Sequence, residues 1–133
     1  FVAVCPPYEV RTEDARRVMP PSVPLATAVW QMGRVAATCH ALETGDGELL
    51  AKACDDRLHE PYRRPLIAHY DRCRAACLGA GASAFWISGS GSTMMAACLG
   101  DARAAAVGAA AQRVDPGLRT FALSCCTDGT SIR

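Results

Sequence analysis

The stretch "AFWISGSGSTMMAAC", Ala84 to Cys98, constrains the fold more than any other part of this chain. Two short apolar runs flank Gly89-Ser90-Gly91-Ser92, and each is too short to be a buried helix. Runs of that length bury their side chains as strands, and a Gly-rich connection between them predicts an antiparallel hairpin. The chain must therefore build a sheet, and the remaining segments must supply its other strands and its cover.

Those segments are recognisable on both sides. "FVAVCPPYEV" reads as a strand broken by Pro6 and Pro7 and followed by a short extended piece. Thr12 is placed as the N-cap of a short helix, with Glu13 and Asp14 in the first turn where the helix dipole favours acids, ending before Pro20 and Pro21. From Ser22, apolar residues recur at intervals of three and four through Leu25, Val29, Met32, Val35, Ala36 and Cys39. This spacing predicts a long helix ending near Gly45 and Gly47, and we expect it to be the main core helix. "ELLAKACDDRL" predicts another helix, and "HEPYRRPLIAHYDRCRAACLGAG" an irregular Pro-bounded start followed by a helix ending at Gly79 and Gly81. Beyond the hairpin, "DARAAAVGAAAQRV" predicts a helix with Asp101 as N-cap, "LRTFALSC" a strand, Asp128-Gly129 a turn and "TSIR" a last strand-like piece. The sum is an α+β domain: an antiparallel sheet of about four strands with helices on one face, a ferredoxin-like two-layer sandwich.

At 133 residues, half of them hydrophobic, the chain suits one domain with a real core. Its net charge is +1 with both signs dispersed, so no basic tract invites nucleic acid. No apolar run reaches the roughly 20 residues that span a bilayer, and no signal-peptide pattern opens the chain, so a cytoplasmic protein is expected. Phe1 starts directly in an apolar run without an initiator Met, as though the sequence were cut from a longer one. A homodimer is compatible with the chain but not specified by it. Of the eight cysteines, Cys39, Cys54, Cys73, Cys77 and Cys98 fall inside Ala-rich or apolar patterns, which suits small core residues better than a disulfide framework. His69, Cys73 and Cys77 share one helix face at spacings of four. No fourth ligand accompanies them, so a face packed on the core is preferred and no metal site is assigned.

The Ser88–Thr93 segment invites comparison with phosphate loops. A P-loop needs a Lys that this segment lacks, and a dinucleotide fingerprint needs a third Gly where Met94 stands, opening a helix rather than a strand. An anion nest and an ordinary hairpin connection both fit what remains.

A resemblance adds to this reading. "ISGSGST" with its flanks resembles the third motif of the GHMP kinases, in the "ISGSGPT" form found among homoserine kinases. "LHEPYRRPLIAHYD", Leu58 to Asp71, resembles the family's "EPYR" segment, and "VRTEDARRVMP" its "STxEARxxLP" segment. The three segments keep the family's order and spacing, and the resemblance covers essentially the whole chain, residues 1–133, as the carboxy-terminal half of such a kinase. The resemblance implies an ATP-dependent enzyme that phosphorylates the hydroxyl of L-homoserine to O-phosphohomoserine on the way to threonine. ATP and Mg²⁺ would sit mainly in an amino-terminal half that no segment here resembles, so this chain alone is expected not to phosphorylate anything. A sibling GHMP kinase and a non-catalytic small-molecule binding module are the alternatives.

Matching positions imply that Arg16 and Arg63 contact the amino-acid substrate. A guanidinium fork stays charged and meets a planar α-carboxylate with two parallel hydrogen bonds. Glu60 is expected to hold Arg63 in place, and Arg17 and Arg64 are expected at the surface. Ser88, Gly89, Ser90, Gly91, Ser92 and Thr93 are implied to support the phosphates, with Ser92 standing where the family has Pro and loosening the turn. His40, His59 and His69 are expected in surface or structural roles, and His59, beside the Glu60-Pro61 turn, is also a candidate for lining the substrate cleft.

Overall fold

The structure, a computed structural model, describes residues 1–126, 128 and 129. Along the chain it places β1 (Val2–Cys5), α1 (Thr12–Arg17), α2 (Leu25–Thr44), α3 (Gly47–Ala53) and α4 (Glu60–Arg63), the last running into a 3₁₀ turn over Arg64–Leu66. Then come α5 (Tyr70–Gly79), β2 (Ala84–Ile87), β3 (Met94–Ala97), α6 (Asp101–Val114) and β4 (Arg119–Ala122). The strands form one sheet in the order β2-β3-β1-β4, with every neighbouring pair antiparallel. This is the ferredoxin-like order, with α1 to α4 inserted between β1 and α5.

Alternation along the strands divides the side chains between two faces. Val2, Val4, Phe85, Ile87, Met94 and Ala96 point to one face and meet Tyr70, Cys73 and Cys77 of α5 and Ala104, Val107 and Ala111 of α6. All of these are buried, and burying one such large apolar side chain contributes about 1.5–3 kcal/mol. Gly108 lets α6 lie close on β4: a Cβ there would stand 3.3 Å from the Thr120 hydroxyl. A smaller cluster on the other face joins Ala84 and Ala97 to Ala41 of α2 and Leu50 of α3, with Phe1 and Trp86 at its rim.

Several expectations are corrected. The long helix α2 is not the main core helix, since Ala41 is its one buried residue and Leu25, Val29, Met32, Val35 and Leu42 are exposed. It starts at Leu25 rather than Ser22, and it ends as expected, with Gly45 left-handed at φ +70°. Thr12 opens α1 but caps nothing; its hydroxyl lies 3.5 Å from that of Ser90 instead. Asp101 is the first residue of α6 and not its cap, a position taken by Gly100. The "ELLAKACDDRL" helix stops at Ala53, because the Asp56 carboxylate takes the amide hydrogens of Leu58, His59 and Glu60 and turns the chain.

The cysteines divide. Cys73 and Cys77 lie in the main core, and Cys77 is pushed up to about 12 by burial. Cys54 and Cys98 are half-buried, and Cys39 is exposed rather than in the core. His69 lies 3.8 Å from the Asp115 carboxylate, while Cys73 and Cys77 pack into the core. Gly129 has φ +69°, in keeping with the expected turn. The "TSIR" piece lies outside the described residues. No helix among the described residues is long and apolar enough to cross a membrane.

Candidate functional site

The three segments singled out in the sequence meet at one end of the sheet. The Ser88–Thr93 loop joins β2 to β3 and is closed by bonds from the Ser88 amide to the Thr93 carbonyl, 2.9 Å, and from the Gly91 amide to the Ser88 carbonyl, 3.1 Å. Gly89 and Gly91 have φ of +59° and +93°, backbone that side chains rarely adopt. At Gly91 a Cβ would also come to 3.0 Å from Ile67 Cδ1, so a side chain here is strained by the backbone and must displace the tip of Ile67.

Ser92 does not loosen the loop in the way its departure from the family pattern suggests. It is buried, and its hydroxyl donates to the Tyr8 carbonyl at 2.6 Å, a bond that Pro cannot make. The Tyr8 hydroxyl in turn accepts the Ala68 amide at 2.7 Å, so the segment after β1 is tied to the loop and to the start of α5.

Arg63, on α4, holds the constellation together. Its Nε donates to the Ala15 carbonyl of α1 at 3.3 Å, and one terminal nitrogen donates to the Gly89 carbonyl at 2.9 Å. Two of the five guanidinium hydrogens are thus used, leaving three for an acceptor. Ala15 is buried and Arg16 follows it, exposed. The two arginines are therefore neighbours through the backbone group that one of them grips.

Their sequence neighbours behave differently. Arg17 pairs with Asp14 at 3.0 Å and Arg64 with Asp71 at 3.4 Å, both at the exposed surface. Neither Arg16 nor Arg63 has an ion pair among the described residues.

Glu60 does not reach for Arg63. Its Oε1 accepts the Ile87 amide at 2.6 Å and its Oε2 accepts the Tyr70 hydroxyl at 3.0 Å. β2 is an edge strand, and Glu60 takes the outward amide of its last residue, which the sheet leaves without a partner. Arg63 is held indirectly, since this tie fixes α4 against the strand that feeds the loop. Burial raises the Glu60 carboxyl above its ordinary range, against the lowering effect of its two donors. Burial, reinforced by the Glu60 charge, also raises the Tyr70 hydroxyl, which stays a donor.

The sequence reading missed Asp56. Burial would raise its carboxyl, but hydrogen bonds from the His59 side chain and from the His59 and Glu60 amides outweigh that and bring it to about 2. His59 Nε2 stands 3.1 Å from Asp56 Oδ2. The other ring nitrogen of His59 is buried without a partner, in the wall of a recess between α2 and the sheet rather than at the arginines. An Asp placed two to four residues ahead of amides that enter a Pro-containing turn was the available signal.

Residues 39–116 match the family described as GHMP kinases C terminal. The chain belongs to the GHMP kinases. This GHMP kinase domain is 42% identical over 100 residues to the homoserine kinase of Parasynechococcus marenigrum, an alignment covering 75% of the chain and 32% of that protein. It is 43% identical over 110 residues to the homoserine kinase of Nostoc sp., covering 82% of the chain and 36% of the relative. Among solved structures, the homoserine kinase of Cytophaga hutchinsonii superposes with a TM-score of 0.84 at 31% identity, over 90% of this chain and 39% of that one. The GHMP domain described here thus spans about a third of the length of the curated relatives it matches. The α+β fold expected from the sequence is the one shared with that solved kinase.

Proposed function

We propose that this domain is the substrate-binding half of a homoserine kinase, which transfers the γ-phosphoryl group of ATP to the side-chain hydroxyl of L-homoserine. The observation that carries the reading is the asymmetry within the two arginine pairs. Arg17 and Arg64 have carboxylate partners, whereas Arg16 and Arg63 have none among the described residues, and Arg63 keeps three hydrogens beside the Gly-rich loop. A substrate α-carboxylate is the acceptor such a pair suits, planar and able to take two parallel hydrogen bonds. The homoserine kinases among its relatives favour the same substrate.

In this reading Arg63 and Arg16 orient the carboxylate and thereby the hydroxyl. The Ser88–Thr93 loop, which holds neither an acid nor a Lys, contributes position and not proton transfer. Phosphoryl transfer depends mostly on placement and charge neutralisation, so a loop of fixed backbone and hydroxyls suffices for that part. Those groups fit phosphate oxygens. The loop offers no carboxylate to Mg²⁺, and no cluster of three metal-binding side chains occurs among the described residues, so this chain's residues fit the nucleotide better than the metal. When bound, ATP supplies the phosphoryl group; what this chain supplies is the grip on its acceptor.

The test joins the chain to the amino-terminal two thirds of the Nostoc relative and compares homoserine with 3-aminopropan-1-ol, which keeps the hydroxyl and amine and lacks the carboxylate. Loss of a charge-assisted hydrogen-bond pair predicts kcat/KM lower by on the order of 100-fold for the amino alcohol. Equal turnover of the two would remove the carboxylate grip and leave a sibling kinase of alcohols that need no carboxylate.

A further inference from the structure

The two halves of the Gly-rich loop are held by different means. In the first half Arg63 grips the Gly89 carbonyl, and the Ser90 hydroxyl lies 3.5 Å from that of Thr12. In the second half the buried Ser92 donates to the backbone carbonyl of Tyr8 at 2.6 Å. Tyr8 belongs to no helix or strand. It follows Pro6 and Pro7, whose rings fix φ, so the chain that carries it away from β1 is stiff. Its side chain is anchored as well, because the Tyr8 hydroxyl accepts the Ala68 amide at 2.7 Å. Ile67, the residue before Ala68, is buried with its Cδ1 beside Gly91, and it ends the 3₁₀ turn that continues α4 from Arg63. Ser92, Tyr8, Ala68, Ile67 and Gly91 thus close a circuit of two hydrogen bonds, one packing contact and the chain itself.

We infer that Tyr8 is a positioning residue, a clamp with one end on Ser92 and the other on Ala68 that sets the second half of the Gly-rich loop against the arginine site. Its carbonyl holds the loop, and its hydroxyl holds the start of α5. Where the family pattern has Pro, a ring restrains the loop from within; here Ser92 passes that restraint outward to Tyr8. No hydrogen bond among the described residues joins Tyr8 to Arg16 or Arg63. Breaking the clamp therefore leaves Arg63 on the Ala15 and Gly89 carbonyls, with its grip on a carboxylate intact, and removes only the loop's share of the placement. The kinetic consequence rests on the function proposed above; the mechanical one does not.

Amide hydrogen exchange and steady-state kinetics test it in the chain fused to the amino-terminal two thirds of the Nostoc relative, with Tyr8→Phe, Ser92→Ala and the double variant. Tyr8→Phe deletes an oxygen that has no bond to the loop. It is nonetheless expected to speed exchange of the Ser88 and Gly91 amides, whose bonds close the loop, by on the order of tenfold. Ser92→Ala should do the same, and unchanged α6 amides show in each case that the domain stays folded. Because both bonds belong to one clamp, the double variant should exchange about as fast as the quicker single variant. In each variant kcat should fall by on the order of tenfold while KM for homoserine stays within about twofold of the parent. Parent exchange rates at Ser88 and Gly91 in Tyr8→Phe would overturn the inference. So would effects that multiply in the double variant, or a loss confined to KM for homoserine. Equal turnover of homoserine and 3-aminopropan-1-ol by the parent fusion would instead remove the proposed substrate, and the exchange comparison would still decide the clamp.

Discussion

The two faces of the sheet are both met by apolar helices and end differently. One is sealed: α5 and α6 bury Tyr70, Cys73, Cys77, Val107 and Ala111 against Val2, Val4, Phe85 and Met94. The other is open: α2 has 20 residues, yet only Ala41 is buried, and its stripe looks outward. Apolar periodicity therefore shows which side of a helix is fit for burial without showing that the side is buried. The sealed face explains why this domain has a defined shape. The arginines and the Gly-rich loop meet at one end of the sheet, apart from the recess of the open face.

The contrast can be broken most sharply by truncation. Met94→Ala removes a fully buried side chain from the sealed face and should cost about 2–5 kcal/mol in denaturant unfolding. A smaller loss is expected at the seam between the faces. Glu60→Ala strands the Ile87 amide and the Tyr70 hydroxyl, and loss of hydrogen bonds to a charged group predicts about 1.5–3 kcal/mol. Gly91→Ala, at φ +93° with Ile67 close by, should cost about 1–3 kcal/mol and disturb loop amides first in an NMR spectrum.

Acid titration sharpens the comparison further, because two neighbouring carboxyls at this seam act in opposite directions. Asp56 is held at about 2, below its unfolded value. Its contribution is complete above the unfolded carboxylate value of about 4 and is lost as the pH falls toward 2. Glu60 is raised, so its contribution is present in acid and lost as the pH rises through its folded value. Asp56→Asn should flatten the acid limb of the stability curve, while Glu60→Gln should leave that limb in place. The smallest effect belongs to the open face: Met32→Ala should change stability by less than about 0.5 kcal/mol.

Much of this architecture was legible beforehand. Short apolar runs around Gly89 and Gly91 fixed the hairpin, and Gly45 marked the end of α2, because a left-handed residue there suits Gly. The meeting of "TEDARR", "EPYR" and the Gly-rich loop was implied by resemblance, and Arg63 supplies the bonds that join them. What escaped was decided by competition between groups far apart in sequence. Thr12 was free to cap α1 but faces Ser90, and Glu60 lies one turn from Arg63 yet serves an amide 27 residues away. The exposure of α2 escaped because spacing records which side of a helix is apolar and not whether that side meets the core.

In the proposed function it is Arg63, and not the adjacent Arg64, that grips the substrate. Michaelis constants for homoserine in the fused enzyme, measured for Arg63→Ala and Arg64→Ala side by side, test it most directly. Loss of a charge-assisted pair predicts KM raised by on the order of 10- to 100-fold for Arg63→Ala, with Arg64→Ala close to the parent because its guanidinium faces Asp71 at the surface. Equal constants in the two variants would contradict the account.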